Sequence, residues 1–139
     1  MFKTVLLGVD GSEHALRAAS LAGDLARCMR ADLWVVVCFE PIPSHLGQPN
    51  IQNLITERMQ QAEQIVQPAL EAVGETPGFV KTEMLEGPPA EAILAVADAR
   101  SVDLIVMGTR GLGRLGGLVL GSQSQKVLAN ATCPVLLVK

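Results

Sequence analysis

The stretch VDLIVMGTRGLGRLGGLVLGSQSQKVLAN, residues 102–130, contains the pattern from which the fold is inferred. It begins with an apolar run typical of a buried strand, 102–107, and it ends with SQSQKVLAN, which predicts a short helix at 122–130. Between them stand six glycines, at positions 108, 111, 113, 116, 117 and 121. Each fixed glycine costs backbone entropy, so this cluster indicates special dihedral angles or close approach of the backbone to another group.

Strands and helices are predicted to alternate along the rest of the chain. Apolar or alternating runs predict strands at 2–9, 33–39, 79–85 and 133–139. Apolar residues at helical spacing predict helices at 14–30, 53–73 and 89–100. Ser12 is the predicted N-cap of the first helix. Strict alternation implies an α/β fold, with right-handed crossovers and a parallel sheet that has helices on both faces. The length of 139 residues fits a single domain, residues 1–139.

The charge is distributed unevenly along the chain. Residues 1–103 hold all 14 acidic residues and seven of the 11 basic ones, for a net charge of −7, whereas residues 104–139 hold four bases and no acid. The glycine-rich stretch therefore lies in the basic region of an acidic protein, where an anion is favoured. Nucleic acid is not expected as a partner, because basic patches and stacking aromatics are both missing from the sequence.

The cysteines and the apolar segments indicate the cellular location of the protein. Cys28, Cys38 and Cys133 form no Cys-x-x-Cys pair, so neither a disulfide framework nor a zinc site is predicted, and the thiols are expected to be reduced. The apolar run at the amino end is too short for a signal peptide, and no segment approaches the ~18 apolar residues of a membrane span. We expect a cytoplasmic protein that does not bind membranes.

Two loops are expected to form a ligand site. Ligands of open α/β sheets bind beyond the carboxyl ends of the strands, where the strand order reverses. Asp10 follows the first strand and Gly108 follows the fourth, so the two loops share one crevice if these strands are neighbours. Groups suited to phosphate are the amides of Gly108, Gly111 and Gly121 and the hydroxyls of Ser122 and Ser124. Ser122 with Gln125 also matches a capping box, a role compatible with phosphate binding.

Two familiar phosphate motifs do not fit the spacing. A Walker A loop needs Gly-Lys-Ser/Thr directly before its helix, but this chain has Gly121-Ser122-Gln123 and no lysine until Lys126. Gly111-x-Gly113-x-x-Gly116 spells a dinucleotide fingerprint, yet residues 117–120 separate it from the predicted helix and no acidic residue follows. We interpret the second match as chance.

Several polar residues have a structural alternative to a functional role. Asp10 stands in an Asp-Gly-Ser sequence that is an ordinary turn, and it could simply cap the first helix. Arg110 and Arg114 fit phosphate-facing and solvated positions equally well. His14 and His45 are expected to be structural or solvent-facing, because no serine or cysteine nucleophile pairs with them by spacing. No catalytic residue and no metal ligand is predicted.

Four separated motifs resemble those of the universal stress protein family, and together they cover the whole chain in the family's order. One is Gly108-x2-Gly111-x9-Gly121-Ser122, placed after the strand LIVMG. The others are the opening VLLGVDGSEHALRA, the helix entry EGPPAEAIL and the ending SQKVL…CPVLLV. The resemblance implies a Rossmann-like sheet of five parallel strands in the order 3-2-1-4-5. It also implies a homodimer and, in the branch that keeps these glycines, binding of ATP with Mg²⁺.

The resemblance also assigns positions to the nucleotide. Asp10 would contact the ribose or base, the backbone near Cys38 would read adenine, and Met107 would line the floor. Gly8 stands where ATP-binding relatives often have proline. The full set of implied positions is Gly8, Val9, Asp10, Cys38, Met107, Gly108, Arg110, Gly111, Gly121, Ser122, Gln123 and Ser124.

Three functions are weighed from the sequence. The first is an ATP-binding regulatory module, in which the nucleotide changes loops 41–52 and 108–121 and thereby what an unknown protein partner meets. The second is a slow ATPase or an enzyme that phosphorylates itself on Ser122 or Ser124. The third is a structural or chaperone-like dimer with an unused site. The dimer is expected to form through the last strand, 133–138, because an apolar strand at a sheet edge favours pairing with another chain.

Overall fold

Runs of valine, leucine and isoleucine form the strands of a parallel sheet in the computed structural model, which describes residues 2–109 and 120–139. The elements follow one another along the chain as β1 (Thr4–Val9), α1 (Glu13–Met29), β2 (Asp32–Phe39), α2 (Asn50–Val73), β3 (Val80–Glu86), α3 (Pro89–Ala99), β4 (Leu104–Gly108), α4 (Ser122–Asn130) and β5 (Val135–Val138). Among these residues, no helix is both long and apolar enough to cross a membrane.

The strands lie in the order β3-β2-β1-β4-β5, and every neighbouring pair is parallel. This confirms the predicted fold class and strand order. β1 is central and pairs with β2 on one side, Val9 opposite Val37, and with β4 on the other, Leu7 opposite Val106. The chain winds first toward β3 and then returns past β1 to β4 and β5, so the order reverses between β1 and β4.

Alternate residues of each strand enter two separate cores. In β1, Val5 and Leu7 face α1 and α2, whereas Leu6 faces the opposite side, which is covered by α3 and α4. All three side chains are fully buried. A strand covered on both faces needs apolar residues at successive positions, which is why the strands are continuous apolar runs.

Small residues let α1 lie close to its neighbours. Its buried face consists of alanines and one glycine, Ala15, Ala18, Ala19, Ala22, Gly23 and Ala26. A Cβ placed on Gly23 would collide with the carbonyl of Val73, the last residue of α2. Gly23 is therefore fixed by helix packing rather than by a turn.

The outer part of the sheet, at β3, carries a cluster of aromatic and basic side chains. The rings of Trp34 and Phe79 meet edge to face with centroids 5.5 Å apart. The guanidinium of Arg100 lies 4.3 Å from the Trp34 centroid, and the ammonium of Lys81 lies 4.6 Å from the Phe79 centroid. Arg100 also pairs with Glu83 at 2.6 Å. These contacts attach the end of α3 to the outer strand.

Most element boundaries differ slightly from the sequence prediction, and two of the differences have a clear local cause. Helix α2 begins at Asn50 rather than at 53, because Ile51 and Asn53 already donate to the carbonyls of Gly47 and Pro49. Strand β4 begins at Leu104 rather than at 102. The preceding residue, Asp103, uses its side chain to join the start of β1.

Asp103 links the start of β4 to the amino end of β1. Its Oδ2 accepts hydrogen bonds from the amides of Lys3, at 2.7 Å, and Thr4, at 2.9 Å. These two bonds, with a smaller contribution from the charge of Lys3, hold the pKa of the Asp103 carboxyl below its usual range. Asp103 therefore stabilises the fold only while its carboxyl is ionised.

We predict that Asp103 makes stability depend on pH in the acid range. Because its pKa is lower in the folded state, its contribution is complete above the unfolded-state pKa of about 4 and is lost as pH falls through the folded-state value. Asp103→Ala should lower the free energy of unfolding by about 1 kcal/mol at neutral pH, measured by urea denaturation. Asp103→Asn keeps an acceptor oxygen but does not titrate, so it should flatten the acid dependence. An unchanged acid dependence in Asp103→Asn would contradict this assignment.

Candidate functional site

The carboxyl ends of β1 and β4 form a crevice because their chains leave the sheet on opposite faces. β1 continues into α1, which covers the face shared with α2, whereas β4 leads to α4 on the other face. β1 and β4 are hydrogen-bonded neighbours, as the sequence analysis required for a shared site. In open α/β sheets, such a switch point is where ligands bind.

The first wall of the crevice is the turn after β1. Asp10 Oδ1 accepts a hydrogen bond from the amide of Ser12 at 3.0 Å, and Gly11 takes a positive φ of 85°. The hydroxyl oxygen of Ser12 accepts from the amide of Ala15, which confirms Ser12 as the N-cap of α1. The turn that was the alternative role of Asp10 is thus present, and nucleotide contact by Asp10 stays a prediction.

The second wall joins the two ends of the glycine-rich stretch. The amide of Gly121 donates to the carbonyl of Thr109 at 2.8 Å, and the hydroxyl of Ser124 donates to the carbonyl of Gly108 at 2.9 Å. The start of α4 is thereby fixed against the end of β4. Arg110 and Gly111, two of the predicted site residues, lie outside the described residues.

Gly108 has a packing reason to be glycine. A Cβ at this position would lie 2.8 Å from the Cβ of His14 and 3.2 Å from the amide nitrogen of Ala15, both in the first turn of α1. Close backbone approach therefore does explain this glycine, as the sequence suggested, but the approaching group is α1. A role of Gly108 toward a ligand stays a prediction.

The start of α4 differs from the predicted capping box. Gly121 is the N-cap, with φ −60° and ψ 150°, and no side-chain cap bond is found there among the described residues. Ser122 is instead the exposed first residue of the helix. The side-chain amide of Gln125 donates to the carbonyl of Leu120 at 2.7 Å rather than accepting from a capping residue. The capping-box interpretation was wrong because the chain enters the helix one residue earlier than the pattern implies.

The first turn of α4 has the properties of an anion site. The amides of Ser122, Gln123 and Ser124 precede the first bond within the helix, which runs from the amide of Gln125 to the carbonyl of Gly121. Such amides carry the positive end of the helix dipole and suit an anion. The arrangement therefore offers main-chain donors next to the end of β4.

Two predicted site side chains hold neighbouring elements together. Gln123 Oε1 accepts from the amide of Ala90 at 3.0 Å, and this replaces the cap that Pro88 cannot supply to α3. Ser124 is 3% exposed, and its hydroxyl donates its proton to the carbonyl of Gly108. Both side chains therefore have a structural role, and their contacts with a ligand stay predictions.

The floor of the crevice contains the remaining predicted residues. Gly8, Val9 and Met107 are buried, and a Cβ on Gly8 would meet Ile93 of α3 at 2.8 Å. The pairing of β1 with β2 ends at Val9 and Val37, but β2 continues to Phe39. The backbone at Cys38 therefore has no β1 residue opposite it. Burial raises the pKa of the Cys38 thiol to about 11, which keeps the thiol protonated at neutral pH.

The connection between β2 and α2 borders the same edge of the sheet. It was predicted as a loop at 41–52 and ends earlier because α2 begins at Asn50. The amide of Ile42 donates to Glu86 Oε1 at 2.6 Å, and Glu40 pairs with Arg58 of α2 at 3.2 Å. Both contacts hold the loop at its β2 end.

The sequence analysis missed a contact between His14 and Thr109. The imidazole Nδ1 of His14 lies 2.8 Å from the hydroxyl oxygen of Thr109, and both residues are partly buried. Thr109 directly follows Gly108, the last residue of β4, and this position could have indicated that Thr109 lies at the site. His14 was predicted to be structural or solvent-facing, and the structure gives it a hydroxyl partner.

Comparison with known proteins identifies the family. The family model described as "Universal stress protein family" matches residues 1–139. A universal stress protein of Thermus aquaticus is 50% identical over 142 residues, which cover all of both chains. One from Methanocaldococcus jannaschii is 35% identical over 144 residues, covering all of this chain and 83% of that protein. The chain belongs to the universal stress protein family.

Solved structures agree with this membership. The universal stress protein UspA from Lactobacillus plantarum superimposes with a TM-score of 0.83 at 25% identity, covering 99% of this chain and 97% of that chain. A universal stress protein solved in complex with cAMP has a TM-score of 0.70 at 27% identity, with the same coverage of both chains. The fold of this universal stress protein therefore extends over nearly the full length of these relatives.

Within residues 2–109 and 120–139 of this universal stress protein, no three histidine, cysteine, aspartate or glutamate side chains are grouped closely enough to hold a metal ion.

We predict that Gln123 stabilises the fold through α3. Gln123→Ala removes the acceptor for the Ala90 amide and should lower the free energy of unfolding by about 1 kcal/mol, measured by urea denaturation. Gln123→Glu keeps an acceptor and should retain the wild-type value. Gln64→Ala, at an exposed position of α2, is the matched control. An equal loss in Gln64→Ala and Gln123→Ala would contradict a capping role.

Proposed function

We propose that this universal stress protein binds ATP in the crevice between β1 and β4 and acts as a nucleotide-dependent regulatory module. The observation that carries the proposal is the attachment of the first turn of α4 to the end of β4, through Gly121 and Ser124. This contact directs main-chain donors at the switch point of the sheet, where a phosphate would be stabilised by the helix dipole.

The phosphates would lie on the α4 side of the crevice. Gly121, whose own amide is bonded to Thr109, would let a phosphate approach the backbone amides of Ser122 and Gln123. Ser122 is exposed, so its hydroxyl can also donate. By the resemblance to the family motif, Arg110 and Gly111, which follow Thr109 in the sequence, would also contribute to the phosphate site. The absence of acidic residues from 104–139 in the sequence further favours a polyanion.

The adenosine would lie on the β1 and β2 side. Asp10 is partly exposed at the end of β1 and has carboxylate oxygens that can accept from a ribose hydroxyl. The backbone at Cys38, beyond the pairing with β1, can contact the edge of a purine. Gly8, Val9, Met107 and Gly108 form the floor. The relative solved with cAMP supports an adenine nucleotide as the ligand class.

Magnesium would enter with the nucleotide. Mg²⁺ usually keeps several waters and is held by one or two carboxylates together with substrate phosphates. The phosphates of the nucleotide and water would supply its ligands.

We also propose that the protein works as a homodimer through β5. β5 lies at the edge of the sheet, pairs with β4 and is partly exposed at all four residues. A second copy would cover this apolar edge. An unidentified protein partner would then bind the loop after β2, whose conformation would change when nucleotide binds. The three free thiols support a cytoplasmic location.

We predict saturable binding of Mg·ATP to the nucleotide-stripped protein, measured by isothermal titration calorimetry with ADP and cAMP run beside it. Gly121→Val should weaken ATP binding at least ~10-fold, which corresponds to about 1.4 kcal/mol. Valine can adopt the φ of −60° at this position, so the loss would come from blocked approach of the phosphate.

Gly47→Val is the matched control, because a Cβ at Gly47 meets no atom within 4 Å. It should bind ATP like the wild type, and circular dichroism should show that both variants are folded. Absence of binding by the wild type to all three nucleotides would contradict the proposed function. Equal affinities of the wild type and Gly121→Val would contradict the proposed phosphate position.

A further inference from the structure

The contact between His14 and Thr109 pairs a hydroxyl with a nitrogen base at the mouth of the crevice. His14 Nδ1 and Thr109 Oγ1 lie 2.8 Å apart, which is the distance at which a base can take a hydroxyl proton. The two residues are 95 positions apart in the sequence, so the fold alone brings them together. Neither residue belongs to the nucleotide positions assigned above.

Thr109 also contacts the proposed phosphate site directly. Its carbonyl accepts from the amide of Gly121, the N-cap of α4. Its own amide donates to the carbonyl of Val138 at 2.9 Å, so the backbone of Thr109 is fixed on both sides. Its hydroxyl is therefore held at the end of β4, adjacent to the helix terminus where an anion is stabilised.

The serines of α4 are less suited to act as nucleophiles. The Ser124 hydroxyl is buried and donates its proton to the carbonyl of Gly108. Ser122 is exposed, and the described residues offer it no base as partner. The hydroxyl of Thr109, in contrast, faces the imidazole of His14, and its partial exposure leaves it accessible.

We propose that Thr109 is a phosphorylation site of this protein and that His14 is the base that activates it. The proposal rests on ATP binding in the crevice, as proposed above. Thr109 Oγ1 forms a bond to the terminal phosphorus of ATP while the bond from that phosphorus to the β-bridging oxygen breaks. The bridging oxygen leaves with its electron pair as part of ADP, and the hydroxyl proton passes to His14 Nδ1.

This reaction limits itself. The phosphate on Thr109 carries a charge of about −1.5 to −2 near neutral pH and lies next to the start of α4. It occupies the anion site that the phosphates of a second ATP would need, so the modified protein binds ATP more weakly. The expected stoichiometry is one phosphate per chain, and the product is phosphothreonine at position 109.

The test uses the full-length, nucleotide-stripped protein incubated with Mg·ATP. Incorporated phosphate is followed by intact mass and located by peptide mass spectrometry, and ATP affinity is measured by calorimetry on the same samples. Thr109→Val removes the hydroxyl at nearly constant volume and should abolish incorporation, whereas Thr109→Ser should restore it. His14→Gln should lower the initial rate about 100-fold, within the range for loss of a general base.

One control variant lies away from the crevice. Thr56→Val removes a hydroxyl that donates to the carbonyl of Gln52 on α2, and it should incorporate phosphate at the wild-type rate. The phosphorylated wild type should bind ATP at least ~10-fold more weakly than the unmodified protein, a readout that does not depend on turnover.

The outcomes separate this inference from the proposed function. ATP binding without incorporation, or incorporation at a residue other than Thr109, would overturn the inference and leave the proposed function intact. Absence of ATP binding would overturn both. Phosphothreonine at position 109, lost in Thr109→Val and slowed in His14→Gln while ATP still binds to each variant, is the result that supports it.

Discussion

The pairing of β1 with β4 is the constraint on which the fold and the site both depend. These strands are parallel neighbours, yet their following helices lie on opposite faces of the sheet. The chain therefore departs in opposite directions from the two carboxyl ends, which is the arrangement that forms a ligand crevice in open α/β sheets. Gly108 makes this geometry possible, because a side chain there would collide with the first turn of α1. The same residue accepts the Ser124 hydrogen bond that fixes α4.

The strands and the first helix were predictable from local pattern, because local physics determines them. Continuous apolar runs mark strands that are buried on both faces, and Ser12 caps α1 as its residue type and position indicated. The strand order was obtained from the resemblance of four motifs to a known family, since alternation alone fixes neither the order nor the edge strands. The neighbouring position of β1 and β4, which defines the site, followed from that order.

The details of the site depended on contacts that sequence spacing does not contain. The bond between Gln123 and Ala90 joins two helices, and no local pattern signals it. The Ser-x-x-Gln sequence at Ser122 satisfied a capping box locally, but the hydrogen bond from Gly121 to Thr109 moves the start of the helix back by one residue. Local rules therefore located the start of α4 to within one residue and assigned some of its side chains to the wrong partners.

The central claim is that phosphate is held by the amides at the start of α4. The most direct test is a titration of ¹⁵N-labelled protein with ATP and, separately, with adenosine, followed by amide chemical shifts. The account predicts that ATP shifts the amides of Thr109 and of 121–124 far more than adenosine does, while both ligands shift Asp10 and Cys38. Equal shifts from the two ligands at the start of α4, or changes confined to the cluster of Trp34 and Phe79, would contradict it.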